Sequence, residues 1–178
     1  MPDSSLLDGK KVLIVDDEPD VLEVLEELLP MCAIAKAATF AEAKHLLETR
    51  SFDLAILDIM GVNGYALLKI AREKNITAVM LTAHAFNPDS LARSFKEGAA
   101  SYIPKEKMGE IEEFLIGILK AKTEGRSTWD PWEKKMPSSY FERKWGAAWQ
   151  DADKEFWKSF RESIRARKSQ AAKNNSSE

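Results

Sequence analysis

The chain has 178 residues, of which 44% are hydrophobic and 31% are charged, and its net charge is −3. This length suits one domain of ordinary size with an extension, and the composition suits a folded core with a solvated surface. No run approaches the roughly 18 apolar residues of a membrane span, and residues 1–10 lack the order of a signal peptide. We therefore expect a cytoplasmic protein. Its single cysteine, Cys32, excludes an internal disulfide.

Residues 1–123 alternate short apolar runs with helical patterns. The apolar runs predict buried parallel strands over 11–15, 32–38, 54–57, 76–81 and 100–103. Apolar positions at three- and four-residue spacing predict helices over 19–29, 40–48, 66–73, 89–98 and 111–121. Thr39 and Glu42 form a capping-box pattern at the start of the second helix. Five such strand–helix units predict a doubly wound α/β fold, a five-stranded parallel sheet with helices on both faces.

Polar residues stand where the predicted strands end. Asp16 and Asp17 follow the first strand, Asp58 ends the third, Thr82 follows the fourth and Lys105 follows the fifth. Because the carboxyl ends of parallel strands share one edge of the sheet, these side chains are expected to converge. Three crowded carboxylates repel one another, so the cluster requires cations, which Mg²⁺ and the lysine would supply. Such a site is suited to accept a phosphoryl group on a carboxylate.

Four motifs resemble the receiver domain of two-component response regulators, over residues 10–122. They are Val-Asp-Asp at 15–17, Leu-Asp at 57–58, Thr-Ala at 82–83 and Gly-Ala-Ala-Ser-Tyr-Ile-Pro-Lys at 98–105. The resemblance implies the flavodoxin-like receiver fold. It also implies a phosphorelay function, in which the chain takes a phosphoryl group from a sensor histidine kinase or a phosphotransfer protein.

The same resemblance implies roles for individual residues at the site. Asp58 would be the phosphoacceptor, and Lys105 would pair first with it and then with the phosphate. Asp17 and Asp58 would bind Mg²⁺ directly, together with the backbone carbonyl of Met60. Asp16 would hold the ion mainly through water.

A second set of implied roles concerns signalling after phosphorylation. Thr82 and Tyr102 match the switch pair of the family, in which the hydroxyl moves toward the phosphate and the aromatic ring turns inward. A ring that only caps the last strand is the alternative for Tyr102. Met60 and His84 match the positions that flank the path of the water that hydrolyses the acyl phosphate.

The sequence departs from the family pattern after the acceptor and after the last strand. Gly61 and Val62 stand where the family has Met-Pro, and Gly64 arrives two residues early, so this loop is shorter. The family's Lys-Pro pair is absent, because Pro104 precedes Lys105. None of these changes removes a charged group from the predicted site.

Haloacid-dehalogenase-like phosphatases offer an alternative that uses similar residues. They require a second Asp two residues after the nucleophile to protonate the leaving group. Met60 occupies that position and cannot donate a proton. We therefore expect a phosphoacceptor switch with self-catalysed phosphotransfer and dephosphorylation, and not an enzyme that turns over substrates.

Composition changes sharply near residue 123. Residues 1–123 carry a net charge of −6 and residues 124–178 a net charge of +3, and all five tryptophans lie in the second part. We predict a receiver domain over 1–123, a linker over 124–137, an aromatic-rich helical extension over 138–173 and a disordered tail over 174–178.

The aromatic stripe of the extension leaves three interpretations open. It packs on the receiver, or it contacts a second protomer or an unknown downstream protein, since large aromatic side chains anchor interfaces. The third option is binding of nucleic acid or a membrane surface through the basic residues of 154–173, for which the sequence offers no strong sign.

Overall fold

The centre of the molecule is a five-stranded sheet in which every neighbouring pair of strands is parallel. The structure is a computed structural model that describes residues 4–83 and 86–176, with side chains for 5–83 and 86–165. The strands are β1 (Lys11–Val15), β2 (Ala33–Ala37), β3 (Leu54–Asp58), β4 (Thr77–Thr82) and β5 (Ser101–Pro104). Their order across the sheet is β2-β1-β3-β4-β5.

Five helices cover the two faces of this sheet. They are α1 (Pro19–Leu28), α2 (Phe40–Thr49), α3 (Gly64–Glu73), α4 (Pro88–Lys96) and α5 (Ile111–Thr123). Helices α1 and α5 pack together, as do α2 and α3. The Tyr65 hydroxyl of α3 lies 3.0 Å from the Ser90 carbonyl oxygen of α4. The predicted doubly wound α/β fold is confirmed.

The core follows from the apolar runs of the strands. Every residue of β3 is buried, including Asp58, and β1 is buried except at its first residue. Helices cover both faces of these strands, so successive side chains are all buried and the strand sequences are continuous apolar runs. Each buried leucine or isoleucine of these strands contributes about 1.5–3 kcal/mol relative to its exposed state.

Side-chain caps fix where two of the helices begin. The Thr39 hydroxyl accepts a hydrogen bond from the Glu42 amide at 3.2 Å, as its pattern predicts. The Glu42 carboxylate accepts from the Ala38 amide at 3.0 Å, one residue earlier than in a standard capping box. The Asn87 side chain accepts from the Ser90 amide at 2.8 Å at the start of α4.

Beyond the sheet, the chain continues as three further helices and one short 3-10 turn. These are α6 (Trp129–Lys135), α7 (Ser138–Trp145), the 3-10 helix Asp151–Asp153 and α8 (Lys154–Ser176). The predicted extension, 138–173, is largely helical, and α6, α7 and α8 together are called the extension below. No helix in the described parts of the chain has an apolar stretch long enough to span a bilayer.

The segment 124–137 differs from the predicted linker. It contains α6, in which Trp129 and Trp132 are buried, and α6 packs on α5 and β5. The helix is too short and too interrupted by Pro131 for its apolar spacing to show in the sequence. At the other end, α8 continues to Ser176, past the predicted boundary at 173, and residues 177–178 lie outside the described chain.

Helix α6 covers the outer edge of the sheet. The Trp129 indole donates to the Ala99 carbonyl at 3.0 Å, and the Trp132 indole donates to the Tyr102 carbonyl at 2.6 Å. Ala99 lies just before β5 and Tyr102 lies within it, so the two indoles attach α6 to the strand at the edge of the sheet. Gly117 of α5 permits this approach, since an added Cβ would lie 2.9 Å from Pro131.

The loop between β3 and α3 depends on Gly64. Asn63 precedes it in the left-handed conformation, with φ of 52°, and the Gly64 amide donates to the Ile59 carbonyl at 3.1 Å. An added Cβ would overlap the carbonyl oxygen of Asp58 and lie 2.9 Å from its carbonyl carbon. The short loop after Asp58 therefore closes only on a residue without a side chain.

We expect Gly64→Ala to lower the free energy of unfolding by about 2 kcal/mol or more, because the new methyl group displaces the backbone of Asp58. Urea unfolding followed by circular dichroism measures this change. Gly109→Ala is the matched control, since an added Cβ there meets nothing within 4 Å. It should change the free energy of unfolding by less than about 1 kcal/mol. Equal losses in the two variants would contradict the steric account.

Candidate functional site

The register of the sheet brings the predicted site residues to one edge. Val15 pairs with Leu57, so Asp16 and Asp58 follow side by side at the ends of neighbouring strands. On the other side of β3, Asp58 pairs with Leu81, directly before Thr82. Thr82 pairs with Pro104, directly before Lys105. Convergence of these side chains therefore follows from strand pairing alone.

Lys105 is the cation at the centre of this edge. Its ammonium nitrogen lies 2.8 Å from Asp16 Oδ2 and 3.5 Å from Asp58 Oδ2. It also lies 3.2 Å from Glu18 Oε1. The lysine side chain is only 10% exposed, so these ion pairs are shielded from bulk water. One ammonium thus serves three carboxylates.

Glu18 also belongs to the site, although the sequence pattern did not identify it. Its backbone amide donates to Asp16 Oδ1 at 2.9 Å, and its carboxylate pairs with Lys105. The signal was present as the third acidic residue of the run Asp-Asp-Glu at 16–18. After β1 the backbone turns, so that the Glu18 amide can donate to the side chain of Asp16. The apolar pattern of a strand does not predict this turn.

The donor set suits a hard divalent cation. Carboxylate oxygens of Asp16, Asp17 and Glu18 lie within 4.8 Å of one another. Gly61 brings the loop after β3 against this group, because an added Cβ there would lie 2.5 Å from Asp17 Oδ2. Oxygen donors of this kind are the preferred ligands of Mg²⁺. The residues present therefore fit such an ion, and Asp58 joins them through Lys105.

Burial and like charge raise the pKa of the Asp58 carboxyl. Its pKa rises from 3.8 to about 6, because the group is buried and because Asp16 and Asp17 repel its charge, while Lys105 opposes the rise. Partial burial works against the charge of Lys105, but its hydrogen bond to Asp16 and the attraction of Asp16 and Asp58 raise its pKa overall. Without a divalent ion, the carboxyl edge of the sheet therefore carries more negative charge than Lys105 can compensate.

The remaining predicted residues lie at the same edge. Thr82 is fully buried at the end of β4, and Met60 lies in the loop after β3 with 52% of its surface exposed. His84 lies outside the described residues, together with Ala85. The structure therefore places Met60, but not His84, beside the acceptor strand.

Tyr102 is turned into the protein. Its side chain is fully buried, and its hydroxyl oxygen accepts from the Asn87 amide at 3.1 Å. Its ring stacks on Phe86 with centroids 5.7 Å apart. Burial raises the pKa of this phenol, which therefore stays neutral. Phe86 and Asn87 belong to the segment between β4 and α4, so the ring position depends on the segment that follows Thr82.

The extension contacts this same segment. The Trp145 indole donates to the Phe86 carbonyl at 3.2 Å, and its ring lies 4.8 Å from the Phe86 ring. Trp132 binds the Tyr102 carbonyl, as described above. Tyr140 of α7 donates to the Glu106 carboxylate, and Lys144 pairs with it at 2.9 Å. Sequence alone did not connect the extension with these positions.

A family model agrees with this arrangement. The model described as response regulator receiver domain matches residues 12–115. The chain belongs to the response regulator receiver family. The match ends within α5, so the receiver of two-component signalling is the sheet with its five helices, and α6 to α8 lie beyond it.

Curated relatives are response regulators of plants and bacteria. Two-component response regulator ARR18 of Arabidopsis thaliana is 37% identical over 103 residues, which are 54% of this chain and 16% of the relative. Response regulator protein PilR of Pseudomonas aeruginosa is 30% identical over 120 residues, 64% of this chain and 27% of the relative. The receiver thus spans less than a third of the length of these relatives.

Solved receiver structures show the same fold. The Francisella response regulator 1452 receiver domain is 25% identical, with a TM-score of 0.56, over 65% of this chain and 99% of its own. A response regulator from Chloroflexus aurantiacus J-10-fl is 28% identical, with a TM-score of 0.56, over 64% and 98%. The predicted flavodoxin-like receiver fold is confirmed.

The raised pKa of Asp58 makes the stability of the metal-free receiver depend on pH. Between about pH 4 and 6 the folded state binds this proton more tightly than the unfolded state, so stability falls as pH rises through that window. In EDTA, Asp58→Asn should therefore be more stable than wild type at pH 7.5, by roughly 1–3 kcal/mol. The advantage should shrink toward pH 4.

Urea unfolding of both proteins at pH 4.5, 6 and 7.5 measures this difference. Carboxyl groups far from Asp58 have the same surroundings in both proteins, so their contributions to stability cancel in the comparison. Asp20→Asn is the control, because that carboxylate is exposed on α1 near the same edge. An advantage of Asp58→Asn that does not change with pH would contradict the raised pKa.

Proposed function

We propose that Asp58 accepts a phosphoryl group from the phosphohistidine of a sensor kinase or a phosphotransfer protein, in a reaction that requires Mg²⁺. The observation that carries the proposal is the reach of Lys105, whose ammonium lies 2.8 Å from Asp16 and 3.5 Å from Asp58. A negatively charged carboxylate repels an incoming phosphoryl group, which is also negatively charged. A shielded ammonium beside the carboxylate reduces that repulsion.

In the transfer, a carboxylate oxygen of Asp58 bonds to phosphorus while the bond from phosphorus to the donor imidazole nitrogen breaks. The electron pair of that bond stays on the imidazole. Lys105 stabilises the negative charge of the phosphoryl oxygens, and the Thr82 hydroxyl donates a hydrogen bond to one of them. The product is an acyl phosphate on Asp58, which water hydrolyses to regenerate the carboxylate.

The carboxylates of Asp17 and Asp58 and the backbone carbonyl of Met60 would hold the magnesium ion, with Asp16 behind a water molecule. The bound ion supplies positive charge to the phosphoryl oxygens during transfer. The same residues explain why the chain would act as a switch and not as a turnover enzyme. Met60 offers no proton to a leaving group at the position where a phosphatase places a general acid.

The output that we propose is a change in a protein–protein interaction, transmitted through the extension. Support comes from the contacts of the segment after Thr82, where Phe86 packs between Tyr102 and Trp145. If Thr82 moves toward a phosphate, this segment moves with it, and α7 loses or changes its contact with Phe86. The surface that α7 and α8 present to a downstream protein then changes.

Incubation of the full chain with acetyl phosphate and Mg²⁺ should add one phosphoryl group, because Asp58 is the carboxylate that Lys105 and the metal ligands surround. Intact-mass spectrometry measures the addition. Asp58→Asn and EDTA should each abolish it, whereas the control Asp20→Asn should be labelled like wild type. Labelling of Asp58→Asn at the wild-type level would refute the assignment.

Tryptophan emission should report the coupling of the extension to the acceptor. Trp145 contacts the Phe86 segment directly, so phosphorylation should change the emission of wild type by a measurable fraction, and Trp145→Phe should lose most of that change. Trp149→Phe is the control, since it removes an indole of the extension but leaves Trp145 in place. Full phosphorylation by mass without any change in emission would rule out coupling through this contact.

A further inference from the structure

The segment that carries Lys105 is weakly anchored in the hydrophobic core. Lys105 is the first residue of the 3-10 helix Lys105–Glu110, and none of its six residues is fully buried. Its one large apolar side chain, Met108, is only partly buried against the core. Pro104 in the sheet and the buried Ile111 of α5 hold the two ends of the segment. The course of the backbone between them therefore depends on the polar contacts of its side chains.

Helix α7 holds Glu106, the residue next to Lys105. The Tyr140 hydroxyl donates to Glu106 Oε1, and the Lys144 ammonium lies 2.9 Å from Glu106 Oε2. Tyr140 and Lys144 are four residues apart, so they lie on the same face of α7. The side chains of Lys105 and Glu106 thus reach in two directions, one to the acceptor site and the other to the extension.

The hydroxyl contact is the stronger of these two. Tyr140 is only 7% exposed, whereas the side chains of Lys144 and Glu106 are 44% and 47% exposed, so water and salt screen their ion pair. The hydrogen bond from Tyr140 and the ammonium of Lys144 hold the pKa of the Glu106 carboxyl below its usual range, so it stays ionised. Burial and the bond to Glu106 raise the pKa of the Tyr140 phenol, which therefore remains a donor.

The extension also contacts the rest of this 3-10 helix. The Lys135 ammonium of α6 lies 3.4 Å from Glu110 Oε1 and pairs with Glu113 of α5 as well. The Lys107 ammonium lies 5.5 Å from the centroid of the Tyr140 ring. The segment that presents the lysine to the acceptor site is thus attached to the extension at its first turn and at its last residue.

We propose that Tyr140, assisted by Lys144, is a positioning residue for the acceptor site. Its hydroxyl holds the Glu106 carboxylate, and this contact fixes the backbone from which Lys105 reaches the two buried carboxylates. Neither Tyr140 nor Lys144 touches the reacting atoms, because both act through Glu106. Loss of the contact frees the start of the 3-10 helix and lets the Lys105 ammonium leave the site.

The contact gives the extension control over the chemistry of Asp58. Helix α7 is attached to Glu106 and, through Trp145, to the segment that follows Thr82. A partner protein that draws α7 away from the receiver would release Lys105 and slow the transfer, and by reciprocity phosphorylation would change the affinity for that partner. This consequence rests on the proposed phosphorylation of Asp58, whereas the positioning of Lys105 does not.

Trace acetylation of the full chain with acetic anhydride in EDTA tests the positioning without any phosphorylation. The Lys105 side chain is 10% exposed and surrounded by carboxylates, so its amine should react slowly in wild type. Tyr140→Phe and Glu106→Ala should each raise its rate, measured by peptide mass spectrometry, roughly threefold or more. The double variant should react no faster than either single variant, because both remove the same contact.

Controls separate positioning from a general loosening of the protein. Tyr65→Phe removes a hydroxyl that bonds the Ser90 carbonyl and leaves α7 intact, so Lys105 should react as in wild type. Lys36, which pairs with Glu26 at 3.2 Å, is the internal reference and should keep its rate in every variant. An unchanged rate at Lys105 in Tyr140→Phe would overturn the proposal. Equal rises at Lys36, or additive effects in the double variant, would overturn it too.

The two contacts of Glu106 should differ in their response to salt. Lys144→Met should raise the acetylation rate of Lys105 less than Tyr140→Phe does, and its effect should vanish in roughly 0.5 M NaCl, because salt screens an exposed ion pair. The effect of Tyr140→Phe should persist in the same salt. A larger effect of Lys144→Met at low salt would refute the leading role of the hydroxyl.

Labelling with acetyl phosphate and Mg²⁺ tests the consequence for Asp58. Tyr140→Phe should be labelled roughly threefold more slowly than wild type, or slower still, because its Lys105 no longer stabilises the phosphoryl oxygens. Tyr65→Phe should be labelled at the wild-type rate. Faster acetylation of Lys105 with unchanged labelling would refute the control of the acceptor by α7. A wild-type chain that takes no phosphoryl group would refute the proposed function of Asp58, while the acetylation result would still decide the positioning.

Discussion

The whole fold is arranged around one electrostatic constraint, the burial of carboxylates at the carboxyl edge of the sheet. Asp16 and Asp58 are nearly inaccessible to water at the ends of adjacent strands, and a single ammonium, that of Lys105, lies between them. Two buried like charges destabilise a protein unless cations accompany them. The parallel strand order that brings the carboxylates together also brings Lys105 from the end of β5. The repulsion between the carboxylates and the positive charge that offsets it therefore have the same structural origin.

The aromatic residues after α5 have a different role, which is to pack the extension against the receiver. A parallel sheet ends in an edge strand, and here α6 packs on that strand, with one indole hydrogen bond to Ala99 just before β5 and one to Tyr102 within it. The same layer reaches the segment after Thr82 through Phe86. Stability and communication therefore share residues, and a substitution such as Trp132→Ala would affect both at once. The contact with the receiver accounts for much of the aromatic surface that the sequence left unassigned.

The sequence predicted the receiver well because its signals are local. Apolar runs predicted all five strands to within about two residues, and the polar residues at the ends of four of them predicted that Asp16, Asp58, Thr82 and Lys105 meet at one edge. The extension was harder for a physical reason. Helix α6 is short, and its buried residues Trp129 and Trp132 are defined by contacts with Ala99 and Tyr102, thirty positions earlier in the chain. Periodicity carries no information about such distant partners, nor about Glu18 folding back toward Lys105.

The indole cover of β5 also bears on how the molecule is made. An open strand edge is a template onto which another chain can add a strand, and natural proteins protect such edges. On the ribosome, β5 emerges before α6, so the nascent sheet is complete while its edge is still unprotected. The two tryptophans therefore reach the segment of β5 only after the strand itself has been made, so the last part of the chain to be synthesised completes the packing at this side of the sheet.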